Sequence, residues 1–204
     1  MNSLFVPLIK GLLTGGGLII AIGAQNAFVL KQGLLKNQVF ATALFCILGD
    51  ALLIGLGVGG MGVVFTSSEW LLFLSKWGGI AFLAWYGYRA FRSAFSKSQI
   101  LNAAGLERPS LKETFLVVAA VTFLNPHAYL DTFVLLGSIG SQFEEAARPY
   151  FALGAILASV FWFFGLSYGA RLLAPLFQKP KAWKVLDFLV GCSMLFIALS
   201  LLIG

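Results

Sequence analysis

The sequence predicts an all-α polytopic membrane protein, with six transmembrane helices arranged as two inverted three-helix repeats in which spans 1 and 4 are interrupted. Three observations favour this class: the apolar composition, six long apolar runs, and short sequence matches between the two halves. Apolar residues make up 59% of the 204 residues and charged residues only 11%, and the mean hydropathy is +0.91. One core cannot bury so much apolar surface in a chain of this length, so lipid must cover the rest.

The six apolar runs are each long enough to cross a bilayer about 30 Å thick as a helix. The uncharged stretch from Gly11 to Leu30 is longer than the core of an ordinary signal peptide, so we expect it to stay in the mature protein. A polar segment interrupted by glycine and proline separates three runs from three. We predict a first repeat at 1–91, a cytoplasmic linker at 92–113 and a second repeat at 114–204. The runs cover residues 4–30, 38–65, 70–91, 114–143, 150–174 and 185–203.

Basic residues predict the orientation. Of the 14 Lys and Arg residues, all except Lys10, Lys76 and Arg148 fall in or beside the loops that follow runs 1, 3 and 5; Lys31 and Lys36 are assigned to the first of these loops. Basic loops stay in the cytoplasm, so both termini are predicted to be periplasmic. A five-span alternative, in which the first run does not cross, stays open because three consecutive glycines weaken that helix.

The two halves match in short segments that occur in the same order. AQNAFVL at 24–30 aligns with NPHAYLD at 125–131, and FCILGDALL at 45–53 aligns with YFALGAILA at 150–158. An odd number of spans in each half forces the halves into opposite orientations, which is the plan of many secondary transporters. The alternative is a duplicated lipid-packing scaffold with no role in transport.

Both interruptions are predicted from local chemistry. Proline cannot continue a helix, asparagine is a favoured N-cap and proline a favoured first helical residue, so Asn125-Pro126 predicts that a half-helix begins inside the membrane. Gly23 and the polar pair Gln25-Asn26 lie at the corresponding place in the first run. Half-helix N-termini offer free N–H groups and a positive dipole end to an anion such as a carboxylate. The alternative is a proline kink that only shapes packing.

Three ionisable residues are isolated within the apolar runs: Asp50, His127 and Asp131. A carboxylate inside a membrane bundle costs several kcal/mol unless it is paired or neutralised, so such residues usually mark a route for ions or substrate. Asp50 lies near the centre of its run and is the strongest of the three; a structural hydrogen bond is the alternative for each. The spacing of the cysteines, Cys46 and Cys192, suggests no metal site, and no cofactor is predicted.

Small and aromatic residues add two further expectations. The pairs Gly11/Gly15, Gly55/Gly59 and Gly165/Gly169 have the four-residue spacing that permits close helix contact, which we expect mainly within the chain. Tryptophans near run ends are expected to anchor the helices at the membrane interface, namely Trp70, Trp77, Trp85 and Trp183.

Three segments of the chain resemble the lysine exporter (LysE) family, in particular its branch that exports L-lysine and L-arginine. They are GAQNAFVLKQG at 23–33, GDALLIGLG at 49–57 and NPHAYLDT at 125–132, and the similarity extends over essentially the whole chain. The resemblance implies a small carrier of the bacterial inner membrane, a homodimer, in which Asp50 and Asp131 match the family's intramembrane aspartate pair.

The sequence and this resemblance together predict a secondary transporter that exports L-arginine, L-lysine or both. The half-helix starts at Gln25, Asn26, Asn125 and Pro126 would bind the substrate carboxylate, and Asp50 and Asp131, expected to lie close together, would bind its cationic groups. His127 and Tyr129 belong to the same segment and complete the predicted site.

Export of a net cation against an inside-negative potential costs about 2.3 kcal/mol per charge per 100 mV. Exchange for protons would cancel this cost, and desolvation lets a buried aspartate hold a proton. The predicted partners are therefore the amino acid, protons and the lipid bilayer, without nucleic acid. A passive osmotic release pore is the alternative, and a membrane aspartyl protease is disfavoured because no enzyme motif accompanies the aspartates.

Overall fold

A computed structural model of the chain describes residues 2–20, 23–60, 68–95, 108–173, 175, 177 and 180–203. All regular structure in these residues is helical. The predicted end of span 2 at residue 65, the linker residues 96–107, and Met1 and Gly204 lie outside them. The α-helices are α1 (Asn2–Ile19), α2 (Ala24–Leu35), α3 (Val39–Val58), α4 (Glu69–Phe95), α5 (Leu111–Phe123), α6 (Pro126–Tyr129), α7 (Gly137–Ser141), α8 (Arg148–Gly169) and α9 (Pro180–Ile203).

Several helices are long and apolar enough to cross a membrane. Within the described residues these are Val39–Val58, Arg148–Leu173 and Lys181–Ile203, and α1 with α2 adds a fourth when the two are taken as one bent span. The predicted class, an all-α polytopic membrane protein, is therefore confirmed. The count of six spans and their arrangement as repeats stay predictions.

The first run is broken where the sequence predicts it. Helix α1 continues through the three glycines at 15–17 and ends at Ile19; α2 begins at Ala24, and the two axes differ by 82°. The Nδ2 of Asn26 donates a hydrogen bond to the carbonyl of Ile19 at 2.9 Å. The side chain thereby satisfies a carbonyl that the end of α1 leaves without a helical partner.

The fourth run is broken as well. Helix α5 starts with a capping box between Ser110 and Glu113 and ends at Phe123, and the chain becomes helical again at Pro126. The Oδ1 of Asn125 accepts a hydrogen bond from the backbone N–H of His127 at 3.2 Å, as expected of an N-cap residue. The half-helix that begins at Pro126 continues to Ser141, and its middle part, Leu130 to Leu136, is a π-helix between α6 and α7.

Glycines set the closest helix contact. A Cβ added to Gly11 would lie 1.9 Å from the carbonyl oxygen of Phe151, and one added to Gly154 would lie 2.0 Å from that of Leu8. The expected close contact at Gly11/Gly15 is therefore confirmed, with α8 as the partner.

The other two glycine pairs make no such contact within the described residues, so this expectation is wrong for them. Nothing lies within 4 Å of a Cβ added to Gly55, Gly165 or Gly169, and at Gly59 the nearest atoms belong to α3 itself. These glycines lie on faces that are largely exposed, because the neighbouring helices pack on other sides of α3 and α8.

The interrupted first run lies along α8 and is parallel to it. Leu8 faces Gly154, Gly15 faces Ala155, Asn26 binds Trp162 and Gly33 faces Ser167, in that order. The chain thus passes beside most of α8 before and after the break.

The fourth run has the same relation to α3. Thr122 faces Gly49, Tyr129 and Phe133 pack with Leu53, and Gly140 faces Val58. Helices α3 and α8 pack antiparallel to each other, as do α4 and α9.

The tryptophans fall into two groups. Trp70, Trp77 and Trp85 are exposed, as residues that face lipid should be. Trp183 is buried instead, and its Nε1 donates a hydrogen bond to the carbonyl of Phe177 at 2.7 Å. Its indole therefore packs in the interior of the bundle and not at the membrane interface, where it was predicted.

Candidate functional site

Asp50 lies in the middle of the bundle, where α3 meets α8. The hydroxyl of Ser159, which is completely buried, donates to Asp50 Oδ2 at 2.7 Å. Asp50 itself keeps part of its surface accessible. One neutral hydrogen bond does not neutralise a carboxylate in a membrane, so the position favours a proton or a cation as a further partner.

Gln25 belongs to the same cluster. Its side chain lies close to the Asp50 carboxyl and to the Cys46 thiol. Among the described residues the buried Gln25 Nε2 has no hydrogen bond of standard geometry, although the amide lies within reach of the Asp50 carboxyl. Because buried amide nitrogens are nearly always bonded, this donor is available to a polar group that enters beside Asp50.

Thr122 of α5 provides a second unsatisfied polar atom. Its Oγ1 is buried without a hydrogen-bond partner, and it would lie 3.6 Å from a Cβ added to Gly49, the residue before Asp50. Sequence reasoning missed both Thr122 and Ser159. Isolated hydroxyl residues in apolar helices were the available signal, but such residues often satisfy their own helix, which makes the signal weak.

Asn26 is occupied by structural bonds. Its Oδ1 accepts a hydrogen bond from Trp162 Nε1 at 3.0 Å while its Nδ2 donates to Ile19. The amide thus ties the start of α2 to α1 and to α8. Asn26 is buried beside Gln25, and its predicted contact with substrate stays a prediction.

Asp131 lies apart from Asp50. It is half-buried in the π-helix, one helical turn after His127, which is exposed. The next residue, Thr132, packs against Gly57, seven residues after Asp50, which corresponds to ~10 Å along α3.

The expectation that the two aspartates lie close together therefore differs from the structure. The fourth run is parallel to α3, so residues before its break, such as Thr122, lie level with Asp50. The residues after the break, Asp131 included, are displaced toward the C-terminal end of α3.

The other predicted residues of this segment stabilise the break. Tyr129 is buried against Leu53, and its hydroxyl donates to the carbonyl of Phe123, which the end of α5 leaves free. Asn125 caps α6, and Pro126 begins it. The side chain of Pro126 lies outside the described residues. Leu53, the contact of Tyr129, lies one helical turn along α3 from Asp50.

A second buried carboxylate was not predicted. Asp187 of α9 is completely buried; its Oδ1 lies 2.8 Å from Lys31 Nζ and its Oδ2 accepts from Ser93 Oγ at 2.6 Å. Lys31 was assigned to a loop, but it lies within α2. The lone aspartate of KVLDFLVG in the last apolar run was the signal that could have indicated this site.

Metal binding has no support in the described part of the chain. No group of three or more His, Cys, Asp or Glu side chains there could hold a metal ion. What the arrangement around Asp50 can do is bind a proton or an organic cation reversibly beside unsatisfied amide and hydroxyl groups.

Comparison with known proteins agrees with this interpretation. The family model LysE type translocator matches residues 17–204. The chain is 44% identical over 192 residues to the arginine exporter protein ArgO of Escherichia coli K12, covering 94% of this chain and 91% of the relative. It is also 44% identical over 198 residues to ArgO of Pectobacterium carotovorum PC1, covering 97% of each chain.

A third relative, ArgO of Klebsiella pneumoniae 342, is 42% identical over 198 residues, which cover 97% of this chain and 94% of the relative. No solved structure matches the chain. A family match of this extent removes the protease alternative, because the family consists of translocators. The chain belongs to the LysE type translocator family and is a multi-pass inner-membrane transporter, not an enzyme.

Proposed function

We propose that the protein exports L-arginine from the cytoplasm, with L-lysine as a second basic substrate, and that proton antiport drives the export. The observation that supports this most directly is Asp50, a partly accessible carboxylate in mid-bundle that the Ser159 hydroxyl contacts at 2.7 Å and that has no cationic partner within the described residues. The relatives named as arginine exporters cover nearly the full length of the chain. A guanidinium group is the cationic partner that such a carboxylate binds best.

The two ends of the substrate would bind to different groups. The guanidinium would pair with Asp50, and the α-carboxylate would accept from the start of α2, where the Gln25 amide is buried beside Asp50. The start of α6 at Pro126 offers a second half-helix N-terminus, and Tyr129 at the end of α6 packs on Leu53, one turn along α3 from Asp50. Asp131 and His127, which are more exposed, would lie on the route between this site and the membrane surface.

The Asp50 carboxylate also accounts for the proposed exchange of protons for substrate. Burial disfavours the ionised form, so Asp50 can hold either a proton or the cationic substrate but does not gain by binding both. Alternate loading would move a proton inward for each cation that moves outward, which removes the electrical cost of export.

We further propose that the chain crosses the membrane six times as two inverted three-helix repeats, 1–91 and 114–204, joined by the cytoplasmic linker 92–113. The helix pairings support this arrangement. The first run packs on α8 of the second half, and the fourth run packs on α3 of the first half, as a repeat requires. The other two pairings, α3 with α8 and α4 with α9, each join equivalent helices of the two halves. The passage of α1 and α2 along α8 favours a crossing over the five-span alternative.

A homodimer, which the family resemblance implies, stays part of the proposal. Within the described residues, a Cβ added to Gly55 or Gly59, near the C-terminal end of α3, would touch no other helix, and small residues of this spacing allow a second helix to approach closely.

Purified protein in proteoliposomes tests the function. With radiolabelled arginine or lysine and an imposed pH gradient, we expect saturable transport of arginine that requires the gradient and shows counterflow. Transport that does not saturate and shows no counterflow would support the passive pore instead, while saturable transport without a pH effect would exclude proton coupling. The lysine arm of the experiment determines the second substrate.

Orientation is tested by fusions. Because the loops after spans 1, 3 and 5 are rich in Lys and Arg, alkaline phosphatase fused after residue 204 should be active and green fluorescent protein fused there should be dark. A tag before Met1 should be accessible from the periplasm. A cytoplasmic N-terminus with a periplasmic C-terminus would instead establish the five-span alternative.

A further inference from the structure

The ion pair between Lys31 and Asp187 joins the second part of the interrupted first run to the last helix. Only 1% of the Asp187 side chain is exposed, compared with 25% of the Lys31 side chain. Ser93 of α4 occupies the second carboxylate oxygen. One carboxylate therefore ties α2, α4 and α9 together at a single point.

Apolar contacts alone define the rotation of α2 poorly. Nine of its twelve residues are buried, and they surround the helix instead of lying on one face. Asn26 and Gly33 fix the side of α2 that faces α8, through Trp162 and Ser167, and Lys31 lies on the opposite side of the helix. A buried ion pair has one favourable geometry, and fixing the register of a helix is the best-attested use of such pairs.

The register of α2 determines what faces Asp50. Gln25 precedes Lys31 by six residues on this helix, a distance of ~9 Å along the axis. A rotation or shift at Lys31 would therefore turn the Gln25 amide away from Asp50. Cys46 would lose its cover as well, because Phe28 and Val29 of α2 pack against it.

We infer that Lys31, Asp187 and Ser93 form a positioning clamp, which holds α2 in the one register that presents Gln25 to Asp50. The three residues do not touch the proposed substrate. The clamp affects the affinity for substrate by fixing the position of α2. This effect on affinity rests on the proposed function.

The test removes both charges together, so that neither member of the ion pair keeps its charge after the other is neutralised. Lys31→Met with Asp187→Asn preserves side-chain volume and an acceptor for Ser93. The background is Cys192→Ser, because Cys192 is exposed whereas Cys46 is completely buried. Lys112→Met, which removes a charge from an exposed position on α5, is the control.

The first measurement is the rate at which N-ethylmaleimide labels Cys46 in folded protein. We expect the double variant to label about tenfold faster than the background, because local opening exposes the thiol, and the control to be unchanged. Unchanged labelling in a folded double variant would overturn the clamp. If the double variant does not fold, Ser93→Ala is used in its place. We expect this variant to raise the labelling rate of Cys46 to a smaller degree. An unchanged labelling rate in Ser93→Ala would overturn the inference.

The second measurement is arginine transport. We expect the KM for arginine to rise about tenfold in the double variant with the maximal rate largely kept, because the misplaced donor weakens binding. Faster labelling with an unchanged KM would overturn the positioning role. If the background protein does not transport arginine at all, the proposed function fails, while the labelling result still decides whether the clamp holds α2.

Discussion

Asp50→Asn is expected to abolish arginine export driven by a pH gradient while the protein still inserts and folds. Asparagine has nearly the size of aspartate and can still accept the hydrogen bond from Ser159, which lies 2.7 Å from Asp50 Oδ2. It can neither take up a proton nor pair with a guanidinium. Loss of one charge from a buried ion pair costs about 2 to 5 kcal/mol, so a rate reduced at least ~30-fold is expected.

Initial rates of arginine transport in proteoliposomes, with and without a pH gradient, measure this effect. Ser159→Ala is the matched control: it removes the hydrogen bond but keeps the charge, so export should fall only a few-fold. Asp131→Asn should also impair export, but less severely, because Asp131 is half-buried and lies along α3 from Asp50. Near wild-type export by both aspartate variants would exclude both as coupling residues and make His127 the next residue to test.

Features of the fold that depend on local chemistry could be predicted from the sequence. An N-cap followed by proline stops one helix and starts another whatever surrounds it, so the break at Asn125-Pro126 was predictable from two residues. The isolation of Asp50 in an apolar run was equally visible. Its hydroxyl partner was not, since Ser159 is 109 positions away and the register of α3 against α8 brings the two together.

The errors have the same physical origin. The isolation of both aspartates and the family's intramembrane aspartate pair suggested that Asp50 and Asp131 lie close together, but the register of the fourth run on α3 is set by tight packing at Gly49 and Gly57. The π-helix, which widens the turn after Tyr129, shifts the side chains further. Lys31 resembles a loop residue because it is basic and follows an apolar stretch; its place inside α2 depends on Asp187, which is 156 positions away.

Gly154→Ala is expected to destabilise the protein more than any other single methyl addition to α8. The new Cβ would lie 2.0 Å from the carbonyl oxygen of Leu8 and 2.8 Å from the backbone nitrogen of Leu12. Both atoms belong to the backbone of α1, so no side-chain rotation can relieve the clash and the two helices must separate by about 1 Å. Overpacking of this kind costs about 3 kcal/mol.

Gly165→Ala on the same helix isolates the clash from the other consequences of replacing glycine. No described residue lies within 4 Å of the Cβ that it would add, and alanine favours a helix over glycine by up to about 1 kcal/mol. In detergent, the apparent Tm of Gly154→Ala should fall by roughly 10 °C, whereas that of Gly165→Ala should stay equal or rise.

Gly154→Ala should also weaken transport. The first run contacts α8 at Gly154 and again at Trp162, so loss of the contact at Gly154 would displace the break in this run from its place beside Asp50. Equal melting temperatures for the two variants would mean that α1 does not pack on α8 through Gly154, and the crossing of the first run alongside α8 would lose its main support.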